Sequence, residues 1–267
     1  MPTYQALSKK AHVGQRFKRH SNYSFASGDA LAPLVQQELA KACMELPIAF
    51  VAIGDSFAPM AVQGFEPGKN LRVAPNGQWL GGYIPALYRG YPFGLFPDPA
   101  GKLALCYDAD SGLINATEGE ELFDAAGQPS QAVGNVLNFL NQLEQNRKLT
   151  QLLCHSLAEH KLLQPWPIKV QTAEGVEKTI TGLLRVDEAA LNQLGSSALQ
   201  ALQRSGALAL AYMQLLSMQH VATIANLSRG HAQHQKEQGE QAMVNPASGE
   251  LDLEFLNGNG TFSFDTK

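Results

Sequence analysis

The sequence predicts an α+β protein: an antiparallel N-terminal sheet packed with helices, then a helical C-terminal half that carries an inserted β-hairpin. Three observations predict it. Residues 48–108 hold short apolar runs separated by Gly, Pro and Asp turns, the pattern of antiparallel neighbours on tight connections. Residues 130–157 and 207–227 repeat apolar side chains at three- and four-residue intervals, the helical period. Between them, residues 168–172 and 176–183 read as a hairpin turning at Glu174-Gly175, with Ile168 and Val170 facing oppositely to Lys169 and Gln171.

A chain of 267 residues with 45% hydrophobic and 16% charged residues buries a sizeable core, as one large domain or two small ones. The net charge of −4 and scattered basic residues argue against a nucleic-acid partner. Cys43, Cys106 and Cys154 are odd in number and widely separated, which fits neither a disulfide framework nor a zinc knuckle and predicts reduced, buried thiols. The first twenty residues contain no apolar leader-like run, and no later window is read as long enough to span a bilayer. The expectation is a soluble cytoplasmic protein without a membrane span, with export by a route that needs no N-terminal signal left open.

Taken in order, Lys9, Lys10, His12, Arg16, Lys18, Arg19 and His20 make the opening basic, either for an anionic partner or as an arm that packs Tyr4, Phe17 and Tyr23 on the domain. Ser27 or Asp29 is placed to cap a helix over residues 30–43. Residues 48–53 (IAFVAI) read as a buried strand and residues 58–65 as its partner. Residues 92–98 and 102–108 form a further hairpin around Pro99-Ala100-Gly101. Ser130 caps a long helix whose stripe runs through Val133, Val136, Leu137, Leu140 and Leu143 and continues through Leu149, Leu152, Leu153 and Leu157. Asp187 caps a short helix, Ser196 or Ser197 starts another, and Ser205-Gly206 interrupts it. The last helix, residues 207–227, presents Leu208, Tyr212, Leu215, Met218, Ala222 and Ala225. Residues 229–241 read as a polar helical extension, and residues 251–264 alternate like a terminal hairpin. The expected division is an arm and helix at 1–45, a core at 46–228 with a soft boundary near 128, and an extension at 229–267.

Residues 70–93 stand out. Trp79, Tyr83, Tyr88, Tyr91 and Phe93 alternate with Gly81, Gly82, Pro85, Gly90 and Pro92, so large surfaces sit on a backbone that must turn often. Pro75-Asn76-Gly77 predicts a tight turn between strand-like pieces at 71–73 and 79–84. The candidate ligand-binding residues are Trp79, Tyr83, Tyr88 and Tyr91, with Arg72 and Arg89 as anchors. The competing reading is the core of a small sheet, with the tyrosines bonded at their tips.

Chemical motifs are sparse. Residues 108–112 (DADSG) resemble a fragment of a calcium loop but lack the later glutamate in register. His155 and Glu159 lie one helical turn apart without a third ligand nearby, and His231 and His234 repeat a similar spacing, so no metal is assigned. The phosphate-loop, dinucleotide, nucleophile-elbow and HExxH patterns are absent; no catalytic residue and no cofactor is assigned.

Leu46-Pro47-Ile48-Ala49-Phe50-Val51, Asn70-Leu71, Trp79, Tyr83-Ile84-Pro85-Ala86, Arg89, Tyr91-Pro92-Phe93 and Leu105-Cys106-Tyr107-Asp108 together resemble the SapC family. The likeness continues through Glu121-Leu122-Phe123, Gly127, Val186-Asp187-Glu188 and Leu191. It departs at Gly90, where a second arginine is expected beside Arg89. The resemblance implies a protein of about this length without established catalytic residues. The family is named after a bacterial surface-layer gene cluster, and related genes lie near flavin-dependent halogenase-like enzymes and outer-membrane receptors, which implies an accessory role. Two function classes follow as expectations. One is a non-enzymatic binding or accessory protein that recognises a peptide, protein or glycan through residues 70–93. The alternative is a metal-dependent enzyme, acting beside the halogenase-like partners, that uses His155, Glu159 or carboxylates from the sheet. A homo-oligomer is compatible with either.

Overall fold

The buried backbone of short apolar segments must find hydrogen-bond partners inside the protein, and small antiparallel sheets supply them here. A computed structural model describes residues 3–171 and 177–242. The chain opens with β1 (Tyr4–Ala6), the single-turn α1 (Lys9–His12), β2 (Arg16–Phe17), β3 (Leu31–Pro33), α2 (Gln36–Ala42), β4 (Ile48–Ile53) and β5 (Ser56–Val62). Beyond the aromatic segment come β6 (Phe93–Pro97), β7 (Leu103–Asp108), β8 (Ile114–Asn115), β9 (Glu120–Glu121) and the long α3 (Gln131–Glu159). The remainder is β10 (Leu163–Pro165), β11 (Ile168–Gln171), β12 (Glu177–Ile180), β13 (Leu184–Val186), α4 (Glu188–Asn192), α5 (Ser196–Ser205), α6 (Ala207–Ser217) and α7 (Val221–Ala242). Among the described residues the strands pair antiparallel in four sheets, ordered β10-β13-β4-β5-β3, β1-β7-β6, β8-β2-β9 and β11-β12. The chain is α+β, as its sequence predicts.

The β4–β5 and β6–β7 hairpins form in the expected places, closing at Ile53 opposite Ser56 and at Pro97 opposite Leu103, but they belong to different sheets. The predicted helix over 30–43 is corrected. Its first turn is β3, because Pro33 favours extended backbone and Leu34 donates its N–H to the Pro59 carbonyl 2.9 Å away. The helix begins only after Val35, whose N–H donates to Glu38 Oε1 at 2.9 Å, so the cap is neither Ser27 nor Asp29. The strand-like pieces at 71–73 and 79–84 reduce to one bridge between Val73 and Trp79, since the prolines and glycines around them interrupt a ladder. The turn between them stands, with Gly77 at φ +81°.

Ser130 caps α3, accepting from the Val133 N–H. At 29 residues the helix is about 43 Å long. Its N-terminal half buries Val133 and Leu140 among Phe17, Phe93, Tyr107 and Leu122. Its C-terminal half buries Leu153, Cys154 and Leu157 among Leu39, Phe50, Val186 and Leu210. The predicted stripe drifts halfway along: Leu149 and Leu152 are 51% and 64% exposed, whereas Asn146 and Thr150 are buried. Thr150 earns its buried place by accepting the Gln36 N–H at 2.7 Å, which ties α2 to α3. Cys43, Cys106 and Cys154 are all free and buried, and burial pushes the Cys154 thiol up to about 12.

The last helix is also revised. A 3-10 turn, Met218–His220, separates α6 from α7, and α6 buries Ala207, Leu210, Ala211, Gln214 and Ser217 while Tyr212 is exposed. Ala207–His234 is long and apolar enough to cross a membrane by length and composition, which corrects the reading that no window is. Its polar residues, however, serve the sheet. Gln214 accepts the Val186 N–H at 2.9 Å and donates to the Ile48 carbonyl at 3.0 Å, and Ser217 accepts the Ile48 N–H at 2.9 Å. These bonds close the seam between β13 and β4, whose ladder consists of the single pair Leu184 and Phe50. The predicted hairpin forms as β11 and β12; its turn at Glu174-Gly175 and the terminal segment 251–264 lie outside the described residues.

The basic opening finds its anions within the chain. Arg16 pairs with Glu121 and Arg19 with Glu120, both on β9 beside β2, and Lys18 with Glu118 in the turn between β8 and β9. These exposed pairs order the arm more than they stabilise it.

Replacing Gln214→Met keeps the shape but strands one buried N–H and one buried carbonyl. Chemical denaturation is expected to show a loss of about 3 kcal/mol. Replacing the exposed Gln219→Met in the adjoining turn is expected to change stability by less than about 0.5 kcal/mol.

Candidate functional site

Irregular backbone between β5 and β6 has no ladder to satisfy it, and two glutamates take that role. Glu38, buried on α2, accepts the Ala86 N–H at 2.7 Å and the Tyr83 hydroxyl at 2.8 Å through Oε2 while Oε1 holds Val35. Glu45 accepts the Gly82 N–H at 2.6 Å and the Tyr83 N–H at 3.1 Å. Arg72 is buried and donates to the Glu45 carbonyl at 2.7 Å and the Leu80 carbonyl at 3.0 Å. Burial pulls its guanidinium down and the Glu45 charge acts in the opposite sense. Arg89 donates to the Tyr83 hydroxyl at 3.2 Å and to the Ile84 carbonyl at 3.1 Å. The half-buried Trp79 donates its indole N–H to the Tyr83 carbonyl at 2.9 Å. Four of the six residues singled out by sequence thus brace the segment: Trp79 and Arg89 bond to Tyr83, and Arg72 joins them through Glu45.

The other two, Tyr88 and Tyr91, face a cleft. It has a volume of about 580 Å³ and lies where α3 passes beneath two sheets. Leu140, Leu143 and Thr150 of α3 form its floor. One wall is Gly94–Phe96 of β6 with Tyr4 beside it; the other is Pro33–Val35 and Ala58–Met60. Phe25, Tyr88 and Tyr91 close one side, with Leu87 at the margin. A space of this size with a mainly apolar lining and few polar groups has the character of a ligand site.

The aromatic side is held rigidly. Phe25 stacks on Tyr91 with centroids 3.7 Å apart and planes 4° from parallel, and meets Tyr88 and His20 edge-on at 5.9 and 5.1 Å. The Tyr88 hydroxyl accepts from Gln63 Nε2 at 2.8 Å, and the Tyr91 hydroxyl donates to Asp108 Oδ2 at 2.8 Å. That bond, together with the Asp110 N–H on the other oxygen, engages the first aspartate of residues 108–112, which form a 3-10 turn. Tyr83, Tyr88 and Tyr91 are all pushed well above the ordinary phenol range, chiefly by burial, with the Glu38 and Asp108 carboxylates adding to this for Tyr83 and Tyr91.

The cleft's polar groups are few. Asp29 stands at its mouth, exposed as a residue, and the desolvation it does undergo raises its carboxyl while the Tyr88 hydroxyl acts in the opposite direction. Glu144 and Arg147 form a two-pronged ion pair at 2.7 and 2.7 Å. Sequence reading missed Phe25, Asp29, Phe96 and the α3 floor as parts of one site. Only the paired aromatics Tyr23 and Phe25, two residues apart, offered a local signal.

His155 Nε2 and Glu159 Oε1 are exposed and lie 3.3 Å apart on α3, away from the cleft lining. Among the described residues no group of three His, Cys, Asp or Glu is placed to hold a metal. His231 Nε2 lies 3.0 Å from the Leu71 carbonyl and borders a smaller groove of about 340 Å³. At Gly90, where a second arginine is expected, an added Cβ meets Leu140 Cδ2 at 2.8 Å, so glycine lets the turn pack directly on α3.

Two outcomes follow from this bracing. Glu38→Ala is expected to lower stability by roughly 3 kcal/mol in chemical denaturation and to disorder the 86–90 turn, since three donors lose a charged acceptor. At high pH the sign is fixed by the tyrosines. Well below the ordinary phenol value of about 10 the folded and unfolded chains are both protonated; as pH rises through it the unfolded chain releases protons that the folded chain keeps, so stability falls. Denaturation between pH 9 and about 11.5 is expected to show that fall, and Tyr83→Phe to reduce its slope.

No curated protein and no solved structure matches the chain. The family model named SapC matches residues 7–224, from just after β1 through the first turn of α7, and takes in α3 and every residue of the cleft lining except Tyr4. The chain belongs to the SapC family.

Proposed function

We propose that the protein is a binding and accessory protein whose recognition site is the cleft above α3, and that its ligand is an apolar segment of a peptide or protein. The observation that carries this reading is the fixed aromatic side of the cleft. Phe25 and Tyr91, both partly buried, are locked by stacking on each other and by the bond to Asp108, with the buried Tyr88 held beside them by Gln63, so a ligand meets aromatic groups whose ordering is already complete. A glycan needs dense polar contacts. The walls and floor instead offer Leu34, Val35, Met60, Leu95 and Leu140, which favour an apolar partner. Within residues 70–93, Arg72, Trp79, Tyr83 and Arg89 enter the function as the brace that holds the cleft residues Tyr88 and Tyr91 in place.

The test is affinity selection of capped hexapeptides on the whole protein, followed by titration of the tightest member. Leu87 and Ile53 border the cleft and are 40% and 52% exposed, so Leu87→Glu and Ile53→Glu should preserve the fold. Each is expected to weaken binding at least tenfold. Leu152→Glu, on the exposed face of α3 outside the cleft lining, is expected to leave it unchanged. Equal affinity in all three variants would contradict the assignment.

A further inference from the structure

Resting on that reading of the cleft, we infer that the ligand binds as an extended polypeptide strand added to the free edge of β6. Among the described residues β6 is the outermost strand of the β1-β7-β6 sheet. The phase of its hydrogen bonds is fixed by two contacts at its ends: the Asp108 N–H donates to the Pro92 carbonyl and the Asp98 N–H to the Lys102 carbonyl, each at 2.8 Å. With Gly94 opposite Cys106 and Phe96 opposite Ala104, the same phase turns the backbone groups of Gly94 and Phe96 toward β7. Those of Phe93 and Leu95 therefore point outward from the sheet. Both residues line the cleft.

The opposite wall cannot offer an equivalent edge. β3 is the last strand of its sheet, and the bond from the Leu34 N–H to the Pro59 carbonyl places Pro33 at an outward position, where it has no N–H to give. On β6 the next outward residue after Leu95 is Pro97, which ends the available ladder. Phe93 is 4% exposed and packs in the core, so the donor and acceptor open to an incoming strand are those of Leu95, enough for one hydrogen-bonded residue pair at the centre of a short added segment. Alternate side chains of that strand meet the Tyr88–Phe25 side and the α3 floor, and the others face solvent. With Asp29 at the mouth and Glu144 already neutralised by Arg147, the strand that fits is apolar at alternate positions and free of acidic residues.

The experiment uses the full chain and a library of capped hexapeptides of that composition, with amide hydrogen exchange read by NMR. Binding of the tightest member is expected to slow exchange at Leu95 at least tenfold. N-methylation at one peptide position is expected to weaken binding at least tenfold, and Leu87→Glu to weaken it likewise. If the peptide binds with the Leu87→Glu sensitivity but leaves Leu95 exchange unchanged and tolerates N-methylation everywhere, strand addition is overturned and the cleft assignment stands. If no member binds, or binding ignores Leu87→Glu, both are overturned.

Discussion

One buried carboxylate holds the irregular half of the site together. Glu38 gathers Val35 at the start of α2, the Tyr83 hydroxyl and the Ala86 N–H, three donors from stretches that no ladder or helix would otherwise join. Burying a charge is unfavourable unless its hydrogen bonds are complete, and here two backbone amides and a phenol complete them. The consequence reaches the surface. With Ala86 fixed, the 3-10 turn from Ala86 to Gly90 sits against α3, and Tyr88 and Tyr91 leave it pointing at the cleft.

The second constraint is the length of α3. A helix of about 43 Å serves two cores, and its two halves bury different stripes in different clusters, one around Phe93 and Tyr107 and one around Leu39 and Phe50. The sheets above it do not merge. β6 ends one and β3 ends the other, and the space left between those edges, floored by the helix, is the cleft. The cleft is therefore a product of architecture: among the described residues, two sheets share one helix without sharing a hydrogen-bonded seam.

How much of this was legible in the sequence follows from the range of each determinant. Local signals were sufficient for the β4–β5 and β6–β7 hairpins, for the Ser130 and Asp187 caps and for the break between α5 and α6, because period, turn residues and capping side chains act within a few positions. Where a distant partner decided the outcome, local reading failed. Leu31 to Pro33 has helical spacing yet pairs with β5, and Leu149 continues an apolar stripe that Thr150 and Asn146 displace from the core. The aromatic segment was conspicuous, but its division into a brace and a cleft wall depended on Glu38 and Glu45, which are ordinary helix and turn residues by sequence. Phe25, Phe96 and Leu140 come together only in space, so no spacing rule connects them. The SapC resemblance, by contrast, was carried by residues scattered along most of the chain and is matched over residues 7–224.

The central claim is that the cleft, and not the Trp79–Tyr83 surface, is the place where this protein receives an apolar group. The most direct measurement is a crystal structure determined with small organic probes such as phenol and isopropanol soaked into the lattice. The account predicts that the probes collect between Phe25, Tyr88 and Phe96 above Leu140 and leave Trp79 and Tyr83 bare. Probes clustered on Trp79 and Tyr83 with an empty cleft would contradict it.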